Sequence, residues 1–396
     1  MQHPEWWGPL KTKYEDPEKS RKLLALDGGG IRGLITLGIL ESIERRLREK
    51  SANPELRLCD WFDYIAGTST GAIIAAGLAR GKSVSELIDF YRTSGEAMFE
   101  RTHLLQRLKS LYKADPLRQE LQRVFGSDTT LAPQHLKCLL LVVTQNVTTD
   151  SPWPISSNPE ARYNAPDRED CNLKIPLWQL VRASTAAPVY FPPEILNWDP
   201  KDQSKSFVFV DGGVTPYNNP AFLLYRMATS APYRLGWKMG EKKLLLVSVG
   251  TGSAPIPSFK TNINLAANAL GLPSHLMYAI QTDQDLNCRT VGRCTFGPII
   301  DRELRDVTCR VAEDSVSLAE WLNAPHRSLD EDQKCAFLYA RYNADLTREG
   351  LNDLGCKDID PENVQKLDSI EHMDELLRVG RAVGAQVSLD HFGSFV

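Results

Sequence analysis

Short apolar runs that end in glycine-rich or small polar residues recur along the first 250 residues of this 396-residue chain. Each run is apolar on both faces of an extended strand, and stretches with helical spacing separate one run from the next. This alternation predicts an α/β fold with three layers, in which helices cover both sides of a mostly parallel central sheet. The predicted strands cover residues 23–26, 64–66, 137–143, 207–210 and 244–249.

Composition divides the chain into three segments. Residues 1–20 are rich in proline and charge and are predicted to be irregular, whereas residues 21–255 carry the strand pattern and form the main predicted domain. Residues 256–396 are predicted to be mainly helical and to pack on that domain or extend it. Within them, an apolar stripe after Pro361 predicts one amphipathic helix. The stripe consists of Val364, Leu367, Ile370, Met373, Leu377 and Val383.

Charge and composition argue against several classes of protein. The formal net charge of −4 gives no reason to expect a nucleic-acid polymer as partner. No apolar run reaches the roughly 18 residues of a transmembrane helix, and the N-terminus lacks the features of a secretory signal. The eight cysteines have no paired short spacings, so we expect reduced thiols, a cytoplasmic location, and neither a metal nor a cofactor.

A candidate nucleophile follows the second predicted strand, in the sequence Gly67-Thr68-Ser69-Thr70-Gly71. Nucleophilic serines occur in this G-x-S-x-G pattern at a strained strand-to-helix turn, because the flanking glycines let strand and helix approach closely. The turn places the hydroxyl at a helix N-terminus, where partial positive charge favours a developing anion. We therefore predict Ser69 as nucleophile, with Gly67 and Gly71 in support.

A second glycine-rich loop, Asp27-Gly28-Gly29-Gly30-Ile31-Arg32-Gly33, follows the first predicted strand. The unshielded N–H groups of Gly28, Gly29 and Gly30 predict a pocket for an anion, either a phosphate or the oxyanion of a tetrahedral intermediate. The loop also matches G-x-G-x-x-G, but the next strand does not end in the acidic residue that a dinucleotide site requires. An oxyanion hole fits better. Arg32 either adds positive charge or binds a structural carboxylate, and both interpretations stay open.

A serine nucleophile needs a base, which is usually a histidine oriented by an aspartate. None of the seven histidines lies in a glycine-rich context at a strand end. Asp211 does, because it follows an apolar strand and precedes Gly212, which leaves its carboxylate facing an open cleft. Asp211 is the predicted base, and the alternative is a Ser-His-Asp triad. The histidines that follow Asp211 and would complete such a triad are His275, His326, His372 and His391.

These blocks together resemble the patatin-like phospholipase family, and the resemblance extends over roughly residues 20–255. Residues 183–193 and the pair Asn219-Pro220 also look like that family. The resemblance implies a Ser69–Asp211 dyad without a catalytic histidine and an oxyanion hole built from the glycine loop. It also implies hydrolysis of lipid acyl esters through an acyl-enzyme on Ser69.

A phospholipid or another acyl-ester lipid is the implied substrate, which requires peripheral contact with a membrane. Residues 96–112 combine apolar and basic side chains. They form either an ordinary amphipathic helix that packs on the core, which is the favoured interpretation, or a cap for that contact. Two further expectations are a homodimer and, by resemblance to bacterial antiphage effectors with this layout, activation by a cyclic dinucleotide. The competing hypotheses are an esterase of the α/β-hydrolase type and a non-catalytic binding or storage protein on the same fold.

Overall fold

The computed structural model describes residues 1–98, 114–188, 190–198, 202–254, 265–298, 300 and 335–396. Nine strands within these residues form one sheet, in the order β5-β6-β3-β2-β1-β7-β9-β8, and β4 pairs with β3 off this path. In chain order the strands are β1 (Arg21–Leu26), β2 (Tyr64–Thr68), β3 (Leu139–Asn146), β4 (Ser151–Ser156), β5 (Glu194–Asn197), β6 (Ser206–Asp211), β7 (Leu244–Val249), β8 (Arg293–Phe296) and β9 (Leu338–Tyr342).

Helices cover both faces of this sheet. In chain order they are α1 (Lys11–Tyr14), α2 (Gly33–Ser51), α3 (Leu58–Trp61), α4 (Thr70–Ala79), α5 (Val84–Met98), α6 (Ala114–Phe125), α7 (Leu177–Ser184), α8 (Ala221–Thr229), α9 (Leu265–Val291), α10 (Arg348–Asp353), α11 (Pro361–Gln365) and α12 (Met373–Gly384). Within the described parts of the chain, no helix has both the length and the apolarity to span a bilayer.

The strands separate two apolar cores, because alternate residues of a strand point to opposite faces. In β1, Leu24 and Leu26 join the core that contains α2, α4, α5 and α12, whereas Leu23 and Ala25 join the core beneath α8. Five of the strand pairs are parallel and three are antiparallel. The predicted three-layer fold with a mostly parallel sheet is therefore confirmed.

All five predicted strands are present, as β1, β2, β3, β6 and β7, and the other four were missed. The strand β4 contains Pro152 and Pro154, which lack an N–H group and are typical of sheet edges, so propensity alone argues against a strand there. β8 and β9 lie beyond residue 255 and join the same sheet. The predicted boundary at residue 255 stays a prediction, but the sheet continues across it.

The strand β6 is antiparallel to β3, whereas β1, β2, β3 and β7 are parallel to one another. The whole of β4 pairs with one edge of β3, where it lies opposite the residues from Leu141 to Asn146. On the other edge of β3, β2 pairs as far as Val143, and the antiparallel β6 pairs from Thr144 onward. The two strands therefore meet end to end beside β3, which brings the last residue of β6, Asp211, next to the end of β2.

The two ends of the chain differ from their predicted structure. Residues 1–20 are not irregular throughout, since Pro4–Leu10 forms a 3-10 helix and α1 follows it, with Trp7 buried. The prediction of one long helix after Pro361 is wrong as well. α11 ends at Gln365, Lys366 is extended, and α12 begins only at Met373. An apolar stripe shows which side of a segment faces the core, and it can persist across a break in the helix.

A buried ion pair ties β9 to the end of β1. Arg341 donates from Nη1 to Asp27 Oδ1 at 2.8 Å and from Nη2 to Asp27 Oδ2 at 2.5 Å. Its Nη1 also donates to Ser248 Oγ at 2.6 Å. Asp27 is fully buried and Arg341 is 2% exposed. This bidentate geometry compensates two charges that would otherwise be costly to remove from water.

Replacing Arg341 by Met should lower the free energy of unfolding by about 3–5 kcal/mol, because Asp27 would be left as an uncompensated buried charge. The double variant Asp27→Asn with Arg341→Met should recover much of that loss. Urea unfolding followed by circular dichroism measures both. Arg378→Met, which removes an exposed ion pair with Asp358, is the control and should change little. If Arg341→Met were as stable as this control, the interpretation that Arg341 compensates the buried charge of Asp27 would be contradicted.

Candidate active site

The backbone of Ser69 adopts φ 54° and ψ −123°, a conformation that side-chain-bearing residues rarely adopt. Ser69 lies between the end of β2 and the start of α4, as the G-x-S-x-G pattern predicts. The flanking glycines are needed for close approach. A Cβ on Gly67 would lie 2.1 Å from the carbonyl oxygen of Gly71, and a Cβ on Gly71 would lie 2.3 Å from that of Leu26.

The Ser69 hydroxyl donates to Asp211, with 2.6 Å between Oγ and Oδ2. The other carboxylate oxygen of Asp211 accepts the N–H of Gly213 at 2.7 Å. The glycine at position 212 allows the turn, since a Cβ there would lie 2.3 Å from the carbonyl oxygen of Val143. The structure thus brings the predicted nucleophile and base into direct contact, with no residue between them.

Burial raises the pKa of Asp211 to about 6. Hydrogen bonds from Ser69 and Gly213 and the positive charge of Arg182 act in the opposite direction but do not cancel this effect. A carboxylate with this pKa is ionised at neutral pH and is a stronger base than an exposed aspartate. Both properties suit a group that must take a proton from a serine hydroxyl.

The glycine loop lies beside the nucleophile, since a Cβ on Gly28 would lie 3.3 Å from Ser69 Cβ. The N–H of Gly28, however, donates to the backbone carbonyl of Asn218 at 3.0 Å. This bond conflicts with the predicted role of Gly28 as an oxyanion donor. The N–H groups of Gly29 and Gly30 donate to no acceptor among the described residues, so these two are the candidate donors.

Two elements that the sequence interpretation missed hold this loop in place. Thr251, directly after β7, donates from Oγ1 to the carbonyl of Gly28 at 2.8 Å, and the backbone of Asn218 accepts the Gly28 N–H. The sequence carried a weak signal for both. The fifth predicted strand ends in Gly250-Thr251-Gly252, and Asn218 precedes the pair Asn219-Pro220.

The break between α11 and α12 also contacts the glycine loop. The carbonyl of Leu367 accepts the N–H of Ile31 at 2.9 Å, and Arg32 donates from Nη1 to the carbonyl of Gln365 at 3.2 Å. Gly30 has φ +60°, and a Cβ there would lie 2.2 Å from the Leu367 carbonyl oxygen. Residues 365–367, far from the loop in sequence, therefore form part of its wall.

Arg32 is a buried cation within the loop. Burial lowers its pKa to about 10, while Asp27 acts in the opposite direction, so Arg32 stays charged at neutral pH. Asp27 forms its ion pair with Arg341 rather than with Arg32. The geometry therefore favours the first sequence interpretation, in which Arg32 contributes positive charge near the site.

The histidine side chains that the structure describes bond elsewhere. His391 hydrogen bonds through Nδ1 to the Tyr342 hydroxyl, and His372 lies 3.3 Å from a carboxylate oxygen of Glu375. The side chains of His103, His275 and His326 lie outside the described residues. Groups of three or more metal-ligating side chains do not occur in the part of the chain that is described.

The site combines a serine at a strained strand-to-helix turn, a carboxylate as its direct partner, and a neighbouring loop with two backbone N–H groups that have no acceptor among the described residues. This combination is typical of the serine ester hydrolases. In this class a serine attacks an acyl carbonyl, a base takes the serine proton, and backbone N–H groups bind the oxyanion that forms. The comparisons with known proteins agree with this class.

Residues 24–225 match the family described as patatin-like phospholipase. A cGAMP-activated phospholipase of Vibrio cholerae is 33% identical over 262 residues, which cover 61% of this chain and 67% of that protein. A cGAMP-activated phospholipase of Escherichia coli is 31% identical over 237 residues, covering 58% of this chain and 62% of that protein. Patatin-17 of Solanum cardiophyllum is 31% identical over 281 residues, covering 66% of this chain and 68% of that protein. The chain belongs to the patatin-like phospholipase family.

The raised pKa of Asp211 predicts the pH dependence of hydrolysis. Because only the ionised carboxylate accepts the Ser69 proton, kcat/KM for a water-soluble ester should fall as pH drops through about 6. Stopped assays between about pH 4.5 and 8 on p-nitrophenyl butyrate measure this profile. At about pH 8, Asp211→Asn should lower kcat by about 10²- to 10⁴-fold, and its residual rate should lack the fall near pH 6. A rate that stays constant across this range would contradict the assignment of Asp211 as base.

Proposed function

We propose that the protein is a phospholipase of the A type that hydrolyses fatty-acyl esters of membrane phospholipids through the Ser69–Asp211 dyad. The observation that carries this proposal is the 2.6 Å hydrogen bond from Ser69 Oγ to Asp211 Oδ2, made to a carboxylate that is 4% exposed. Membership of the family supports the lipid acyl ester as the substrate class.

In the first half of the reaction, Ser69 Oγ attacks the acyl carbonyl carbon while its proton moves to Asp211 Oδ2. The N–H groups of Gly29 and Gly30 bind the oxyanion of the tetrahedral intermediate, where preorganised donors contribute most. The intermediate collapses as Asp211 returns the proton to the departing alkoxide. A lysophospholipid leaves, and the fatty acid remains as an ester on Ser69.

In the second half, a water molecule attacks the Ser69 ester and Asp211 takes a proton from that water. The same two N–H groups bind the second oxyanion. Collapse of this intermediate returns the proton to Ser69 Oγ and releases the fatty acid. The dyad is thereby regenerated with Asp211 ionised, and the cycle needs no metal.

Lipid mass spectrometry on phospholipid vesicles incubated with the protein tests this proposal directly. The wild type should release free fatty acid and lysophospholipid in equal amounts, and Ser69→Ala should release neither because the acyl-enzyme cannot form. A fluorophosphonate probe should label the wild type at Ser69 alone. A non-catalytic binding or storage protein would give neither product nor label. The absence of product or the absence of label from the wild type would overturn the proposal.

Histidine variants separate the dyad from a Ser-His-Asp triad. His275→Ala, His326→Ala, His372→Ala and His391→Ala should each keep kcat within about threefold, since the dyad assigns proton transfer to Asp211. Loss of activity in one of them, with the circular dichroism spectrum unchanged, would favour the triad. Peripheral membrane contact and a homodimer stay predictions. The candidate cap at residues 96–112 lies outside the described residues beyond Met98.

We further propose that a cyclic dinucleotide activates the enzyme. Two relatives carry the description cGAMP-activated phospholipase, and they are 33% and 31% identical to this chain. A second support is the contact between residues 365–367 and the glycine loop, made by Leu367 to Ile31 and by Gln365 to Arg32. A ligand that moved the C-terminal region would reach the candidate oxyanion donors through these bonds.

Isothermal titration calorimetry of the full chain with cGAMP, cyclic di-GMP and cyclic di-AMP tests this second proposal. One of them should bind, and fatty-acid release from vesicles should rise when it is present. Linear dinucleotides of the same bases are the control and should have no effect. If no cyclic dinucleotide binds, the proposal of activation fails while the proposal of hydrolysis is unaffected.

A further inference from the structure

The strained backbone of Ser69 must be held by its surroundings, because such a conformation persists only where neighbouring groups determine it. The carbonyl of Ser69 accepts the N–H of Ala72 at 2.8 Å, as expected for the first turn of α4. Its own N–H has no helical partner. It donates instead to the side chain of Ser184, with 2.9 Å between Ser69 N and Ser184 Oγ.

The hydroxyl of Ser184 has its orientation set from the other side. Ser184 ends α7, is fully buried, and donates from Oγ to the carbonyl of Val143 at 2.7 Å. Because a hydroxyl has one proton to donate, this bond leaves an Oγ lone pair for the Ser69 N–H. Ser184 therefore connects the nucleophile turn to β3, the strand along which β2 and β6 meet.

The same short segment also holds the base. Two residues after Ser184, the carbonyl of Ala186 accepts the backbone N–H of Asp211 at 3.0 Å. Residues 184–186 thus make one hydrogen bond to the backbone of the nucleophile and one to the backbone of the base. Together with the pairing of β2 and β6 to β3, these bonds hold the two backbones in register, and hence contribute to the distance between Ser69 Oγ and Asp211 Oδ2.

We propose that Ser184 is a positioning residue for the reaction. It aligns Ser69 with Asp211 through the bond from the Ser69 N–H, and it contacts neither substrate nor the reacting atoms. The inference rests on the proposed function, since it takes Ser69 as the nucleophile. Loss of the Ser184 hydroxyl would let the turn relax, and small displacements of reacting groups reduce rates far more than they reduce substrate binding.

Ser184→Ala tests this role, with Ser157→Ala as a matched control. Ser157 is also fully buried, and its Oγ accepts a backbone N–H of β3, that of Leu140, at 2.8 Å. Ser184→Ala removes the acceptor of the Ser69 N–H and the donor to the Val143 carbonyl, and Ser157→Ala removes the acceptor of the Leu140 N–H, so both should lower the urea midpoint. Ser184→Ala should also lower kcat by about 10- to 100-fold with KM within about twofold. Ser157→Ala should keep kcat within about twofold of the wild type.

Ser184→Cys, which is similar in size but forms weaker hydrogen bonds, supplies a second variant and should give an intermediate kcat. The rate of fluorophosphonate labelling of Ser69 should follow the same order, measured where circular dichroism shows each variant to be folded. Equal kcat in wild type and Ser184→Ala, or an equal fall in Ser157→Ala, would overturn the inference and leave the proposed function standing. A wild type that neither hydrolyses lipid nor takes up the probe would overturn both.

Discussion

The left-handed backbone of Ser69 is the constraint on which the rest of the site depends. A residue with a side chain in this region costs about 1–3 kcal/mol, so the fold must supply the contacts that keep it there. These contacts come from the close approach of Gly67 to Gly71, from the first turn of α4 and from the Ser184 hydroxyl. The strain is useful because it exposes the hydroxyl at the end of a strand with a helix N-terminus behind it.

The base meets this hydroxyl because β6 runs against the direction of β2. Each strand pairs with a different part of the same edge of β3, and the two ends come together between Val143 and Thr144. Burial at that point raises the pKa of Asp211 to about 6. One topological feature therefore supplies both the 2.6 Å contact and the burial that raises the pKa of the carboxylate.

The C-terminal region completes the site rather than only extending the domain. Arg341 from β9 binds Asp27 at the start of the glycine loop, and the carbonyl of Leu367 binds the N–H of Ile31 within it. The loop that contains the candidate oxyanion donors Gly29 and Gly30 is thus held by residues more than 300 positions away. This arrangement provides a physical route by which a change in the C-terminal region could alter catalysis.

The sequence by itself determined the layered fold, its five main strands, and the pairing of Ser69 with Asp211 as candidate nucleophile and base. Apolar runs and glycine spacing are local features, and they record which segments are buried and where a backbone must turn tightly. Only the tertiary structure decided the other features. They are the bond that argues against Gly28 as a donor, the antiparallel approach of β6, the break between α11 and α12, and the contacts of Arg341 and Ser184. Each of these depends on hydrogen bonds or ion pairs between segments distant in sequence, and such partners leave no periodic signal along the chain.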